Sequence, residues 1–184
     1  PVLANILNAL QTIVSRRIEP GVPCVVTVGT VQSGYRYNVI ADTSVITGTV
    51  RTFDPSVQAT VKKAMQEICC GIARSMGASA EVEYIDRYPS LVNDAAATAT
   101  MRELAVRMLG EANVVEAKPT MGGEDFAYSL RKAPGTFMFI GSANMDGSYW
   151  NDAHHPRFNI DERALLTMAK LYSAAPFWFG GVRG

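Results

Sequence analysis

The sequence is short of the residues that build most metal and redox sites. Among its 184 residues it has only two histidines and three cysteines. The cysteines form no C-x-x-C or C-x-x-H spacing, which argues against a zinc knuckle and a thiol redox motif. An odd number of cysteines without a disulfide framework is typical of a reducing compartment. We therefore expect a cytoplasmic protein whose thiols are buried in the core.

The sequence also lacks an excess of charge of either sign and any long apolar run. Seventeen basic residues balance seventeen acidic ones, and the lysines and arginines form no cluster. This balance argues against nucleic acid or an anionic membrane as the main partner. The longest apolar runs fall short of the roughly 18 residues that span a bilayer. The sequence therefore predicts a globular protein that binds neither nucleic acid nor membrane.

Periodicity in the first ninety residues predicts the order helix, strand, strand, helix, strand. The helices are expected at residues 1–17 and 54–77, and the alternating strands at 24–34, 44–53 and 79–89. This is the order of a split β-α-β unit without its first strand. The chain also opens directly in an amphipathic helix. We therefore expect that it begins partway through a longer protein.

The pattern changes after Pro89. Helices are predicted at 93–110, 123–134 and 161–175, and short strands at 113–117 and 136–141, the second being a continuous apolar run. Alternating strands and helices indicate part of a sheet covered on both faces. The predicted class is α/β, with a first domain at residues 1–91 and a second at 92–184.

Both histidines lie in one loop, in the stretch "NDAHHPRFNIDE". Histidine is the commonest metal ligand, and loops at strand ends carry many ligand-binding residues. Neighbouring side chains in an extended stretch point in opposite directions, so at most one of His154 and His155 can face a given metal. On the residues alone, a functional histidine and an ordinary loop histidine are both open.

Two further groups could bind a ligand. Gly122 and Gly123 precede Glu124, and they allow either a close backbone approach or a simple turn before a helix. Arg51, on the second strand, could hold a carboxylate through its two-pronged guanidinium, or be an ordinary exposed sheet arginine. Asn38 precedes the same strand. The chain has no H-E-x-x-H and no G-x-S-x-G, so these parts alone complete neither a metal centre nor a serine triad.

Four motifs, in order, resemble the C-terminal half of the metal-dependent aminoacylase and carboxypeptidase family. They are "PVLANILNALQTIVSRR", "NVIADTSVITGTVRTFD", "PTMGGEDFAYSLRKAPGTFMFIG" and "AHHPRFNIDERAL". The most similar branch contains hippurate hydrolases and N-acyl-amino-acid amidohydrolases. The resemblance implies a partial ferredoxin-like lid and dimerisation domain without its first strand, followed by the C-terminal part of an α/β metallohydrolase catalytic domain.

The resemblance also implies roles for five residues. His154 corresponds to the distal metal ligand of the family. Asn38 and Arg51 correspond to lid residues that contact the substrate carboxylate, often across the dimer. Gly122 and Gly123 would line the pocket beside the substrate. The family's general base, its H-x-C-G-H-D motif and its other metal ligands have no counterpart in this segment, so no catalytic residue is assigned here.

The implied reaction is hydrolysis of the amide bond of an N-acyl amino acid by metal-activated water. The implied cofactor is a pair of divalent ions, for which zinc, manganese, nickel and cobalt are all open. The implied assembly is a homodimer through the lid, and this segment by itself should be inactive. Two alternatives remain at this point, namely a non-catalytic module for dimerisation or substrate binding, and a structural fragment without an independent function.

Overall fold

A computed structural model of the chain describes residues 1–144, 146–148 and 150–181. The chain divides into two compact units. Unit 1 comprises Pro1–Ser90 together with Thr120–Glu124, and unit 2 comprises Leu91–Pro119 together with Asp125–Gly184. The predicted domain boundary after residue 91 stays a prediction, because compact packing alone does not show that either unit is a domain.

Three helices form one layer of unit 1. They are α1 (Val2–Leu10), α2 (Thr12–Arg17) and α3 (Pro55–Ser75). The predicted first helix is thus divided into two at Gln11. Helix α3 begins as predicted, because the Asp54 side chain accepts a hydrogen bond from the Ser56 amide at 2.7 Å. The helices bury a common apolar core made of Ile6, Leu10, Ile13, Val61, Ala64, Ile68 and Cys69.

The other layer of unit 1 is an antiparallel hairpin. Strand β1 (Cys24–Ser33) pairs with strand β2 (Ser44–Thr52), with Cys24 opposite Thr52 at one end and Ser33 opposite Ser44 at the other. The register shifts between Val28 and Thr30, which marks a β-bulge or irregularity. Alternate side chains near the Cys24 end pack against the helical core, whereas the Ser33 end and its ten-residue loop are exposed. The two predicted strands are confirmed.

The predicted third strand, at 79–89, is wrong as a strand. Its side chains alternate between half-buried and exposed up to residue 85, and Ala80 and Val82 pack against the core. However, β1 and β2 form the only ladder among the described residues. A strand is defined by backbone pairing, and nothing in the described chain pairs with this segment. It is held by side chains instead, as shown by the 2.7 Å ion pair between Lys62 and Asp86.

Unit 2 is built around two helices, α4 (Ala95–Leu109) and α6 (Arg163–Phe179), with the short helix α5 (Phe126–Leu130) between them in sequence. Leu104, Ala105 and Leu171 form their shared core. Helix α4 begins where the sequence predicts, because Asp94 accepts a hydrogen bond from the Ala97 amide at 2.8 Å. The mixture of helices with one small sheet agrees with the predicted α/β class.

The two strands predicted in unit 2, at 113–117 and 136–141, are not formed among the described residues. The apolar run at 136–141 was expected to be buried, yet Phe139 is 63% exposed. A buried strand requires a backbone neighbour. Here the side chain of Asn93 takes the place of a backbone neighbour at one residue. Its Oδ1 accepts a hydrogen bond from the Phe137 amide at 2.8 Å, and its Nδ2 donates one to the Phe137 carbonyl at 3.0 Å.

The helices of the described residues contain only limited apolar stretches. No helix in residues 1–144, 146–148 or 150–181 is both long enough and apolar enough to cross a membrane.

Candidate functional site

Arg51 lies near the end of strand β2, opposite Val25 on β1. Its guanidinium donates a hydrogen bond from Nη1 to the carbonyl oxygen of Met121, at 3.0 Å. The side chain is exposed, and it makes no other hydrogen bond within the part of the chain that the structure describes. Because a guanidinium carries five N–H donors, most of this fork remains available for an anionic ligand.

Gly122 and Gly123 lie directly after Met121, in the loop 120–124 that belongs to unit 1. A Cβ atom built on Gly123 would lie 3.1 Å from Cδ2 of Tyr88 and 3.7 Å from Nη1 of Arg51. Glycine therefore allows the loop to approach both side chains closely. Around Gly122 there is more space, since the nearest atom to such a Cβ is Oγ1 of Thr120 at 3.8 Å. The structure thus brings Arg51 and Gly123 close together within unit 1, and their roles in a substrate pocket stay a prediction.

Asn38 lies in the loop at the opposite end of the hairpin from Arg51. It is exposed in the loop between β1 and β2, beside a turn in which the Val39 amide donates to the Arg36 carbonyl at 3.4 Å. Arg51 lies seven residues along β2 from Ser44, where that loop ends. A strand rises about 3.3 Å per residue, so about 23 Å of strand separates Arg51 from Ser44 at the end of that loop. Asn38 and Arg51 thus belong to opposite ends of the hairpin.

His154 lies in unit 2, in a loop closed by a hydrogen bond from the His155 amide to the Asp152 carbonyl at 3.1 Å. Its φ angle is +72°, which is in the left-handed region that few residues other than glycine adopt. The imidazole is exposed and has no hydrogen-bond partner among the described residues. Residues held in sparsely populated backbone regions cluster at functional sites, which makes His154 a candidate ligand.

His155 differs from its neighbour. Its Nδ1 accepts a hydrogen bond from the Arg157 amide at 3.1 Å, and its carbonyl accepts from the Phe158 amide at 2.9 Å. One ring nitrogen of His155 is therefore occupied by a hydrogen bond within the loop. The two adjacent histidines are inequivalent, and His154 is the one with both ring nitrogens available for a ligand.

The described residues do not assemble a metal centre by themselves. They contain no group of three or more histidine, cysteine, aspartate or glutamate side chains that could hold a metal ion. A catalytic zinc ion needs about three protein ligands, and His154 offers one. The thiols do not help, because burial raises the pKa of Cys24 and of Cys69 and so favours the neutral form of each. His154 fits a metal site only as one ligand among others.

Asp161, which precedes helix α6, carries a negative charge at the end of the loop that contains the two histidines. Its carboxylate accepts hydrogen bonds from the Arg163 side chain and amide, and these lower the pKa of Asp161 to about 2. The Asp161 amide also donates to the Ser142 carbonyl at 2.8 Å, which closes the loop 142–161 at its base. Asp161 is thus a structural carboxylate that stays ionised at neutral pH.

Sequence reasoning missed Tyr88, the residue that contacts Gly123. The only local signal was an aromatic residue before Pro89, in a segment interpreted as a strand. It also missed Met121, because that residue contributes a backbone carbonyl, which carries no sequence signature. The residues Arg51, Tyr88, Met121 and Gly123 are called the Arg51 cluster below.

The comparison with known proteins places these observations in a family. The model of peptidase family M20/M25/M40 matches residues 9–176. An N-acetyl-L-cysteine deacetylase of Bacillus subtilis is 40% identical over 173 residues, which cover 94% of this chain and 40% of that protein. Thermostable carboxypeptidase 1 of Saccharolobus solfataricus is 34% identical over 162 residues, covering 88% of this chain and 40% of that protein.

A solved structure agrees with the sequence match. The Bacillus subtilis YXEP protein, described as a dinuclear metal binding peptidase from the M20 family, superposes with a TM-score of 0.75 at 33% identity, covering 97% of this chain and 45% of that one. The chain thus spans less than half the length of the curated relatives it matches. The predicted family resemblance is confirmed: the chain belongs to peptidase family M20/M25/M40.

Proposed function

We propose that the full-length protein is a metal-dependent amidohydrolase that hydrolyses the amide bond of N-acyl amino acids, with Arg51 binding the substrate carboxylate. The observation that carries this proposal is the Arg51 cluster. One guanidinium N–H group is fixed on the Met121 carbonyl, and the remaining donors stand beside a loop with no side chain at Gly123. A planar carboxylate matches this fork.

The names of the relatives support this substrate class. N-acetyl-L-cysteine and the C-terminal end of a peptide share one chemical feature, an amide bond adjacent to a free carboxylate. An enzyme for either substrate needs a cation at a fixed distance from the reacting amide. Arg51 supplies such a cation on a strand, which is a more rigid support than a loop. A hippurate-like substrate, with a bulky acyl group, has the same feature.

We assign His154 as one ligand of a site for two divalent ions, with zinc, manganese, nickel and cobalt as candidates. Such ions polarise a carbonyl and generate a nucleophile from water at neutral pH. The contribution of this chain is the exposed imidazole of His154 on a backbone held in the left-handed region, beside His155, whose Nδ1 is hydrogen-bonded within the loop. The described residues contain no group of three or more possible metal ligands, so no reaction step is assigned to the residues of this chain.

Metal content tests the assignment of His154. In the full-length protein, His154→Ala should remove most of one metal equivalent, because it deletes a ligand. His155→Ala is the matched control, and it should change the metal content much less, since Nδ1 of His155 serves the loop. Elemental analysis of both purified variants measures this. Equal metal content in the two variants would contradict the assignment.

Carboxylate recognition tests the role of Arg51. An N-acetyl amino acid and its C-terminal amide differ only in the charge that Arg51 is proposed to bind. Hydrogen bonds to charged groups contribute about 1.5–3 kcal/mol, so the wild type should prefer the free acid by roughly 10- to 150-fold in kcat/KM. Arg51→Ala should abolish the preference, and Arg51→Lys should restore only part of it because lysine lacks the fork. An unchanged preference in Arg51→Ala would exclude this role.

We further propose that the protein is a homodimer in which Asn38 of one chain acts at the Arg51 cluster of the other. The length of the hairpin between the two positions supports this arrangement. Mixing the Arg51→Ala and Asn38→Ala proteins, each of which should have little activity on the free acid, by unfolding and refolding tests it. If the residues act in trans, half the dimers are mixed and each has one intact site, giving about a quarter of wild-type activity. If they act in cis, mixing restores nothing.

We place this enzyme in the cytoplasm. The three cysteines are free, and Cys69 lies in the apolar core of unit 1, as expected where thiols stay reduced. Fractionation of cells that express the untagged full-length protein tests this location, and recovery with secreted markers would oppose it.

A further inference from the structure

The segment before residue 91 is anchored to unit 1 on both sides of Tyr88. On one side, Lys62 Nζ lies 2.7 Å from each carboxylate oxygen of Asp86 and 4.4 Å from the centre of the Tyr84 ring. On the other side, Oγ of Ser90 donates to the Phe53 carbonyl at 2.9 Å, just beyond the end of β2. The backbone at Tyr88 is therefore held at a fixed place relative to Arg51.

From this place, Tyr88 contacts the glycine loop. A Cβ built on Gly123 would lie 3.1 Å from Cδ2 and 3.9 Å from Cε2 of its ring. The first distance is tighter than ordinary van der Waals contact, so a methyl group on residue 123 would require the ring to shift by a few tenths of an ångström. Tyr88 is half exposed, which means that the ring forms a wall of this loop and not part of the core.

The same loop fixes Arg51. The Met121 carbonyl, two residues before Gly123, accepts the 3.0 Å hydrogen bond from Nη1. A displacement of Gly123 away from Tyr88 would move this carbonyl with it, because only Gly122 separates the two residues. The orientation of the guanidinium therefore depends on the position of Gly123, and that position is limited by the tyrosine ring.

We propose that Tyr88 is a positioning residue for carboxylate recognition: its ring holds Gly123, and through it the Met121 carbonyl, so that Arg51 presents its free donors in one orientation. This inference rests on the proposed function of Arg51. It assigns a role in substrate binding to a residue outside every sequence motif of the chain. It also gives a role to the glycine at residue 123, since a Cβ there would press on the ring of Tyr88.

Kinetics of single variants in the full-length protein test the role. Tyr88→Ala removes the ring, so KM for an N-acetyl amino acid should rise about tenfold, equivalent to about 1.4 kcal/mol, with kcat changed much less. The preference for the free acid over its amide should fall in parallel. Tyr88→Phe keeps the ring atoms that contact Gly123 and should restore KM to within about twofold of the wild type. Unchanged KM and preference in Tyr88→Ala would overturn the proposal.

A double variant tests the contact itself. Gly123→Ala places a methyl group 3.1 Å from the Tyr88 ring and should raise KM about tenfold or more. In the Tyr88→Ala background the methyl group has space, so Gly123→Ala should add little. Gly122→Ala is the control, because its methyl group would lie 3.8 Å from Thr120 and away from the ring. Its effect should be the same in both backgrounds. Additive effects of the Tyr88 and Gly123 substitutions would refute the mechanism.

Failure of this proposal can be told apart from failure of the proposed function. If the wild type hydrolyses no N-acyl amino acid in a metal-supplemented panel, the proposed function is wrong, and the inference about substrate positioning is overturned with it. If the wild type is active but the Tyr88 and Gly123 effects on KM are additive, only the positioning role is wrong. Melting temperatures of the wild type, Tyr88→Ala, Gly123→Ala and their double variant show whether a loss of activity reflects misfolding. A purely structural role would change the melting temperature and leave KM of the folded enzyme unaltered.

Discussion

Gly48 on strand β2 offers a direct test of how the hairpin is built. A Cβ at this position would lie 2.2 Å from the Thr27 carbonyl oxygen and 3.2 Å from the Thr27 carbonyl carbon. Both atoms belong to the backbone of β1, so no side-chain rotation relieves the clash. The strands would have to separate by about 1 Å to reach ordinary van der Waals contact, next to the irregular register at Val28. We expect Gly48→Ala to open the hairpin locally.

The magnitude follows from what that separation disrupts. Overpacking costs about 1–3 kcal/mol, and each weakened ladder hydrogen bond costs about 1 kcal/mol, so Gly48→Ala should destabilise the hairpin by about 2–3 kcal/mol. Gly29, across the hairpin on β1, is the matched control. Its Cβ would lie 3.8 Å from the Thr47 carbonyl, so Gly29→Ala should be neutral or stabilise by up to about 1 kcal/mol.

Hydrogen exchange of the β1 and β2 amides in the intact protein measures this difference. A loss of about 2–3 kcal/mol corresponds to a roughly 30- to 150-fold loss of protection in hairpin amides that exchange through local opening. Gly29→Ala should leave protection unchanged or slightly increased. Equal protection in the two variants would refute the close approach of the strands at Gly48.

Three further predictions concern strain, charge and the core. His154→Gly should be more stable than His154→Ala by about 1 kcal/mol in denaturant unfolding, because glycine adopts the left-handed φ of +72° without strain, and equal stability would show that the loop is not strained. Asp161 has a folded pKa of about 2, below its usual 3.8, so its stabilising effect should be complete above pH 3.8 and be lost as the pH falls through 2; unfolding measured against pH should lack this component in Asp161→Asn, and an unaltered profile would contradict the pairing with Arg163. Ile13→Ala, at a fully buried position, should cost about 2–5 kcal/mol, and Ile40→Ala, at a side chain that is 96% exposed, about 0.5 kcal/mol or less; thermal unfolding distinguishes them, and similar losses would place Ile13 outside the core.

Helix boundaries followed from the sequence because local chemistry sets them. Asp54 and Asp94 each accept a hydrogen bond from an amide in the first turn, and Pro55 is the first residue of its helix. Gly77 adopts a φ of +74° just after α3, which is the conformation expected at a helix end. Such interactions span only a few residues, so they can be seen in the sequence before any tertiary contact is known.

Strands were predicted less well, because a strand depends on a distant partner. The hairpin was correct since its two strands are close in sequence and form a single ladder. The segments at 79–89, 113–117 and 136–141 have strand-like patterns but pair with no described backbone. At 136–141 the Asn93 side chain occupies the place of a neighbouring strand on Phe137. No periodicity in the sequence could have indicated that a side chain would replace a neighbouring strand at this position.

The candidate site also combines features that the sequence determines with features that only the tertiary structure decides. The sequence by itself determined the helix caps, the hairpin, the glycine pair and the motifs that assign the chain to its family, because each is encoded by neighbouring residues. Only the tertiary structure decided that Arg51 donates to the Met121 carbonyl, that the ring of Tyr88 packs closely against Gly123, and that Asn38 lies in the loop at the other end of the hairpin. The physical reason is that these contacts join residues 35 to 70 positions apart or depend on strand register, and so they exist only once the chain has folded.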